Sequence, residues 1–159
     1  LAISLTIAEN LLLNAPLLTN FSPGPLLSPR AVDHFADAAI SRFSIRTLNA
    51  RQLVSTLSGG NQQRVVIARE FSTSPQVIIA ANPCRGLDIG ATQYIHQQLR
   101  EHQGNGVGVL LISTDLDEIL SLSTLIFVLY QGRLLGPVPP SVSREQLGQM
   151  MGGVWKGAE

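Results

Sequence analysis

The sequence is poor in residues that carry several common chemistries. A single cysteine, Cys84, stands among 159 residues; it excludes an internal disulfide and suits a reducing compartment. The single lysine, Lys156, lies between Trp155 and Gly157, so these residues hold no G-x-x-x-x-G-K-[ST] loop to cradle nucleotide phosphates. Charged residues make up only 14% and sum to a formal net charge of zero. That leaves no basic field for nucleic acid and no acidic tail. Mean hydropathy is positive at +0.22, yet no apolar run approaches the ~20 residues that span a bilayer. Leu1–Leu13 has no basic start and carries Glu9, so it does not read as a secretory signal. His34 has no partner at metal-ligand spacing; it reads as a surface or capping residue, and no metal site is expected.

What is present predicts an α/β protein. The length suits one domain that buries roughly two-thirds of its unfolded surface. The chain starts with Leu inside an apolar pattern, which predicts a fragment of something longer. Leu1–Leu13 reads as a short helix entered through Thr6 or Ser4, followed by a loop with Pro16, Pro23, Pro25 and Pro29. Val32, Phe35, Ala36, Ala39, Ile40 and Phe43 recur with a helical period and predict one apolar face. Gln76–Ala81 and Val107–Ile112 are short apolar runs between turn signals, the pattern of buried parallel strands. Between them, Asp88 is placed to cap a helix whose inward residues are Ala91, Tyr94, Ile95 and Leu99 and which stops near Gly104 and Gly106. Strand, crossover helix and strand predict a right-handed βαβ unit. Asp115, Asp117 and Glu118 then fall in a first helical turn, where they complement the helix dipole without any catalytic duty. Thr124–Tyr130, Gln131–Gly132–Arg133 and Leu134–Leu135 predict a hairpin, and Ser143–Met151 a last helix ending at Gly152–Gly153.

The stretch Leu57–Arg69, LSGGNQQRVVIAR, joins a Ser-Gly-Gly turn directly to a helix start. The first N–H groups of a helix have no intrahelical partner and sit at the positive end of its dipole. Gly59 and Gly60 permit close backbone approach by an anion, and the Ser58 hydroxyl adds a donor. By itself a Ser-Gly-Gly tripeptide is an ordinary flexible turn. Its continuation resembles the signature sequence of ATP-binding cassette (ABC) ATPases, and Asn61–Gln63 resembles the variant in the second cassette of tandem sugar and nucleoside importers. Leu1–Leu13 is similar to the segment that opens the helical subdomain of such cassettes, and SREQLGQMMGG to their C-terminal end. The resemblance implies a partial P-loop-type three-layer core with parallel strands plus a helical subdomain, lacking the P-loop strand. It divides the chain into a helical subdomain at 1–73 and the back half of the core at 74–159.

By the same resemblance Ser58, Gly59 and Gly60, with Gln62 as a weaker candidate, touch the γ-phosphate of ATP held mainly by another cassette, and Asp88 keeps the D-loop pattern. Three positions depart from the active pattern. Ala81-Asn82 stands where an Asp would order Mg²⁺ and a Glu would polarise the attacking water, and Thr114 replaces the switch-loop His. The resemblance therefore implies a site that gives its signature in trans and is degenerate in cis, inactive alone, with ATP and Mg²⁺ used only in an assembled transporter. The partners implied are another cassette and transmembrane permease subunits at the cytoplasmic face of the membrane, with no nucleic acid. The absent P-loop strand predicts an open edge between the strands matching Val107–Ile112 and Thr124–Tyr130. Dimerisation, strand exchange or collapse of the two strands would relieve such an edge. Two other readings compete: an interaction remnant that meets no nucleotide, and a non-transport ABC protein, for which the expected long heptads and basic linkers are missing.

Overall fold

A computed structural model describes residues 1–13 and 27–154. Pro16, Pro23, Pro25 and Lys156 lie outside the described residues. The chain divides into two compact units, one of Leu1–Gln76 with Gly86–Gln93, the other of Val77–Arg85 with Tyr94–Glu159. The first break falls after Gln76, and Gly86–Gln93 returns to the first unit.

The first unit is helical. Helix α1 (Ile7–Leu12) begins with a capping box, in which Thr6 Oγ1 accepts from the Glu9 N–H and the Glu9 carboxylate accepts from the Thr6 N–H. Helix α2 (Pro29–Arg42) starts with proline at its first position, where no intrahelical N–H bond is lost. A 3₁₀ turn (Val54–Thr56) leads into α3 (Gly59–Phe71). Helix α1 packs on α2 and α3, and the core between them collects Ile7, Leu11, Phe43, Val54, Val65 and Phe71, each at most 5% exposed. Side chains of this size contribute about 1.5–3 kcal/mol each on full burial. Asn10 is buried completely and is satisfied: its Oδ1 accepts from the Ala2 N–H at 2.9 Å, and its Nδ2 donates to the carbonyls of Ala2 and Thr6 at 2.8 and 2.9 Å. The N-terminal segment is thereby folded back, and its backbone pairs with the loop before α3. The Ile7 N–H donates to Gln52 C=O at 3.0 Å, and the Ser55 N–H to Ile3 C=O at 3.0 Å.

In the second unit β1 (Val77–Ala81) and β2 (Gly108–Ile112) pair in parallel, with Ile79 opposite Leu110 and Ala81 opposite Ile112. Helix α4 (Ile89–Gly104) connects them, beginning in the first unit and continuing in the second. Helix α5 (Leu116–Leu122) leads to the hairpin β3 (Ile126–Tyr130) and β4 (Arg133–Val138), and α6 (Arg144–Met151) follows. Gln131 and Gly132 both take positive φ, at 45° and 77°, as a two-residue hairpin turn requires. Ile126, Val128 and Val138 form a core with Leu147 and Met150 of α6.

The expectation that β1 and β2 are buried needs correction. Both alternate between exposed and half-buried residues, and Val77, Ile79, Leu110 and Ile112 are each at least half exposed on one face. A continuous apolar run is written for a strand covered on both sides; among the described residues only one side is covered. Strands β2 and β3 do not pair: the sheet orders are β1-β2 and β3-β4. An open groove of about 720 Å³ is lined by both, with Leu110, Ile112, Phe127 and Leu129 among its walls. Of the three expected fates of this edge, collapse of the two strands onto each other does not occur.

Candidate functional site

The Leu57–Arg69 stretch enters α3 and makes up most of it, with Ser58 at the N-cap. Ser58 does not cap the helix with its side chain; its Oγ accepts from Asn61 Nδ2 at 3.0 Å. The first intrahelical bond runs from the Gln62 N–H to Ser58 C=O at 2.9 Å, so the N–H groups of Gly59, Gly60 and Asn61 point out of the helix end. Ser58 and Gly59 are exposed and Gly60 is half-buried.

The two glycines have different reasons to be glycine. A Cβ on Gly60 would lie 3.2 Å from the Ala91 Cβ and 3.8 Å from Asp88 Oδ2, whereas a Cβ on Gly59 would meet nothing within 4 Å. The packing of α3 against the start of α4 thus leaves a Cβ at position 60 in a tighter contact than side chains ordinarily make. Nothing inside the unit asks for glycine at position 59.

The rest of the signature holds the platform together. Asn61 Oδ1 accepts from the Arg46 N–H at 2.8 Å, and Arg64 Nη1 donates to Phe43 C=O at 3.2 Å, which ties α3 to the C-terminal end of α2. Gln62 Nε2 donates to the carbonyls of Val54 and Leu57, both at 3.2 Å, so the amide expected to offer a polar contact outward is engaged on the preceding loop. Asp88 caps α4 as expected: its Oδ1 accepts from the Ala91 N–H at 2.8 Å and its C=O from the Thr92 N–H at 3.0 Å.

In the second unit Ala81 ends β1 and is exposed, as are Asn82 and Thr114. The Asn82 N–H donates to Ile112 C=O at 2.7 Å, which brings these positions together at the carboxyl ends of two parallel strands, where open α/β sheets bind ligands. Asn82 has φ 47°, a left-handed conformation that asparagine tolerates better than most residues.

The family model described as "ABC transporter" matches residues 1–85. The chain belongs to the ABC transporter family. Among curated relatives it is 38% identical over 154 residues to the guanosine import ATP-binding protein NupO of Bacillus subtilis (strain 168) and 37% identical over 154 residues to the nucleoside import ATP-binding protein NupA of Lactococcus lactis subsp. cremoris (strain MG1363). It is 38% identical over 138 residues to the ribose import ATP-binding protein RbsA of B. subtilis. These matches cover 96%, 96% and 87% of this chain and 30%, 30% and 28% of the relatives, so the chain spans less than a third of their length. Its fold is that of ABC ATPases. The ATP-binding cassette MJ0796, in a dimeric post-hydrolysis state bound to ADP and Pi, superposes with a TM-score of 0.70 at 24% identity, covering 90% of this chain and 60% of that one. The ADP conformation of the cassette MJ1267 gives 0.62 at 22% identity, covering 94% and 59%.

One group of this ABC chain escaped sequence reasoning. Cys84, His96 and Glu118 each offer a ligand-type atom, and the three atoms lie within 4.8 Å of one another. Their separations in sequence, 12 and 22 residues, match no metal-ligand spacing, and Glu118 sat among dipole-complementing acids. Asp115 does fill that role, accepting from the N–H groups of Asp117 and Glu118. Glu118 instead turns inward and is 4% exposed.

Proposed function

We propose that this chain is part of the ATP-binding subunit of an importer for a simple sugar or nucleoside, and that it supplies Ser58, Gly59 and Gly60 in trans to ATP and Mg²⁺ held by another cassette. Residues 1–73 act as the helical signature subdomain and 74–159 as the back half of a cassette core, carried by transmembrane permease subunits on the cytoplasmic face of the membrane. The observation that carries the reading is Gly59. Its φ is not positive and its missing side chain relieves no contact inside the chain, so its lack of a Cβ suits the approach of a group from outside. The N–H groups of Gly59, Gly60 and Asn61 and the Ser58 hydroxyl are the donors such a phosphate needs. Gln62 acts indirectly, by fixing the loop that precedes Ser58.

Ala81 and Asn82 offer no carboxylate for Mg²⁺ or for a general base, and Thr114 offers no imidazole. General-base assistance is typically worth 10²–10⁴-fold, and the chain alone is therefore expected to be inactive. The groove between β2 and β3 is the place for a P-loop strand, and no strand lies between them among the described residues. Without it the free edge of β2 pairs with a second copy. The importer reading is tested by steady-state ATPase of the assembled tandem transporter. Gly59→Asp puts a negative charge where a γ-phosphate should approach and is expected to lower the rate by on the order of 10²-fold, the scale of losing one preorganised donor. A rate unchanged by Gly59→Asp would remove the basis for a donated signature.

A further inference from the structure

We propose that Cys84, His96 and Glu118 form a binding site for a thiophilic divalent cation, Zn²⁺ in the first instance. Cys84 lies in the turn after β1, His96 on α4 and Glu118 in the first turn of α5, all in the second unit. His96 Nε2 and Glu118 Oε1 are 3.1 Å apart, and the three ligand-type atoms lie within 4.8 Å of one another. Tetrahedral Zn²⁺ with Zn–S of ~2.3 Å and Zn–N or Zn–O of ~2.0–2.1 Å places its ligand atoms about 3.3–3.6 Å apart. The side chains reach that spacing by shifts of a few tenths of an ångström at the His–Glu pair and modest rotation at the others.

The donor set selects the ion. A thiolate, an imidazole and a carboxylate together suit Zn²⁺ and its Co²⁺ surrogate, whereas Mg²⁺ and Ca²⁺ take oxygen ligands. The two anionic ligands balance the charge of a divalent ion, which matters because a carboxylate only 4% exposed is costly to bury without compensation. Three protein ligands leave the fourth position for water, the open form of a zinc site. The consequence is local: the ion staples the turn after β1 to α4 and α5, and holds Asn82 and its neighbours in place.

The test uses the full, tag-free chain, stripped of metal and titrated with Co²⁺ and then Zn²⁺. The expected result is one equivalent of Co²⁺ bound with a thiolate-to-cobalt charge-transfer band and tetrahedral visible absorption, both bleached by Zn²⁺. Zn²⁺ at a hundredfold excess over its Kd should raise the unfolding midpoint by about 5–10 °C. Cys84→Ser should abolish the charge-transfer band, and His96→Gln and Glu118→Gln should each weaken Zn²⁺ binding by at least about tenfold. His34→Gln, an exposed control, should change nothing. Circular dichroism establishes that each variant is folded, and X-ray absorption of the Zn²⁺-loaded native chain gives a second readout, one sulfur and at least two nitrogen or oxygen ligands. A Co²⁺ complex without a thiolate band, a zinc shell without sulfur, or Zn²⁺ affinity unchanged by Cys84→Ser overturns the proposal.

Discussion

Replacing Gly59 and Gly60 in turn by alanine separates a glycine closely packed inside the chain from one with open space beside it. Both occupy the first turn of α3, so any gain in helix propensity, up to about 1 kcal/mol, is common to both. The added methyl groups differ. At position 59 the methyl meets nothing within 4 Å; at position 60 it lies 3.2 Å from the Ala91 Cβ. Ala91 has little room to move, since it is 7% exposed and its N–H is held by Asp88 Oδ1 at 2.8 Å. Forcing a methyl group into such a contact costs about 1–3 kcal/mol. Gly59→Ala is therefore expected to be neutral or stabilising by about 0.5 kcal/mol, and Gly60→Ala to fall about 1–2 kcal/mol below it. Urea unfolding followed by far-ultraviolet circular dichroism measures the difference. Adding Ala91→Gly to Gly60→Ala removes the clash, and the double-mutant cycle should show about 1 kcal/mol of coupling. Equal effects at the two glycines, or strict additivity with Ala91→Gly, would refute the packing assigned to Gly60. It would also take away the contrast that marks Gly59 as a contact for an external group.

Other expectations follow from single contacts. Asn10→Ala removes the hydrogen bonds of a fully buried side chain and takes the acceptor from the half-buried Ala2 N–H, and should cost about 1–3 kcal/mol in urea unfolding; a loss well under that range would contradict the network around Asn10. The Thr6 backbone N–H holds the Glu9 carboxyl below its ordinary value of 4.5. A lowered folded pKa gives stability that is complete above the unfolded value and lost as pH falls through the folded one, so Glu9→Gln should flatten the acid limb of the stability profile; an unaltered limb would show the capping box does not form. In the assembled transporter Asn82→Gly, which keeps the left-handed backbone, should leave ATPase within about twofold, because no base is lost. Asn82→Ala is a poorer control, since a left-handed alanine costs about 1–2 kcal/mol. Leu110→Lys places a charge on the open face beside the free β2 edge and should weaken self-association of the isolated chain by at least about tenfold in sedimentation equilibrium; undiminished dimers would place the contact elsewhere.

The order of elements was legible because each depends on local pattern. The 3.6-residue period at Val32–Phe43, the apolar runs at Gln76–Ala81 and Val107–Ile112, and the Gln131–Gly132 turn all specify backbone geometry within a few residues. The signature was likewise legible as a contiguous run of residues, and Asp88 as a cap at fixed offset from its helix. Tertiary structure alone distinguished Gly59 from Gly60, because the distinction is a methyl-sized space against Ala91, thirty-one positions on. It also turned Gln62 onto the Val54 and Leu57 carbonyls, and it exposed one face of strands whose composition reads as buried, because burial depends on which other elements are present. The meeting of Cys84, His96 and Glu118 was invisible for the same reason. No local period links a turn, a mid-helix position and a first helical turn, and only the path of the chain through β1, α4, β2 and α5 brings their side chains within ligand distance.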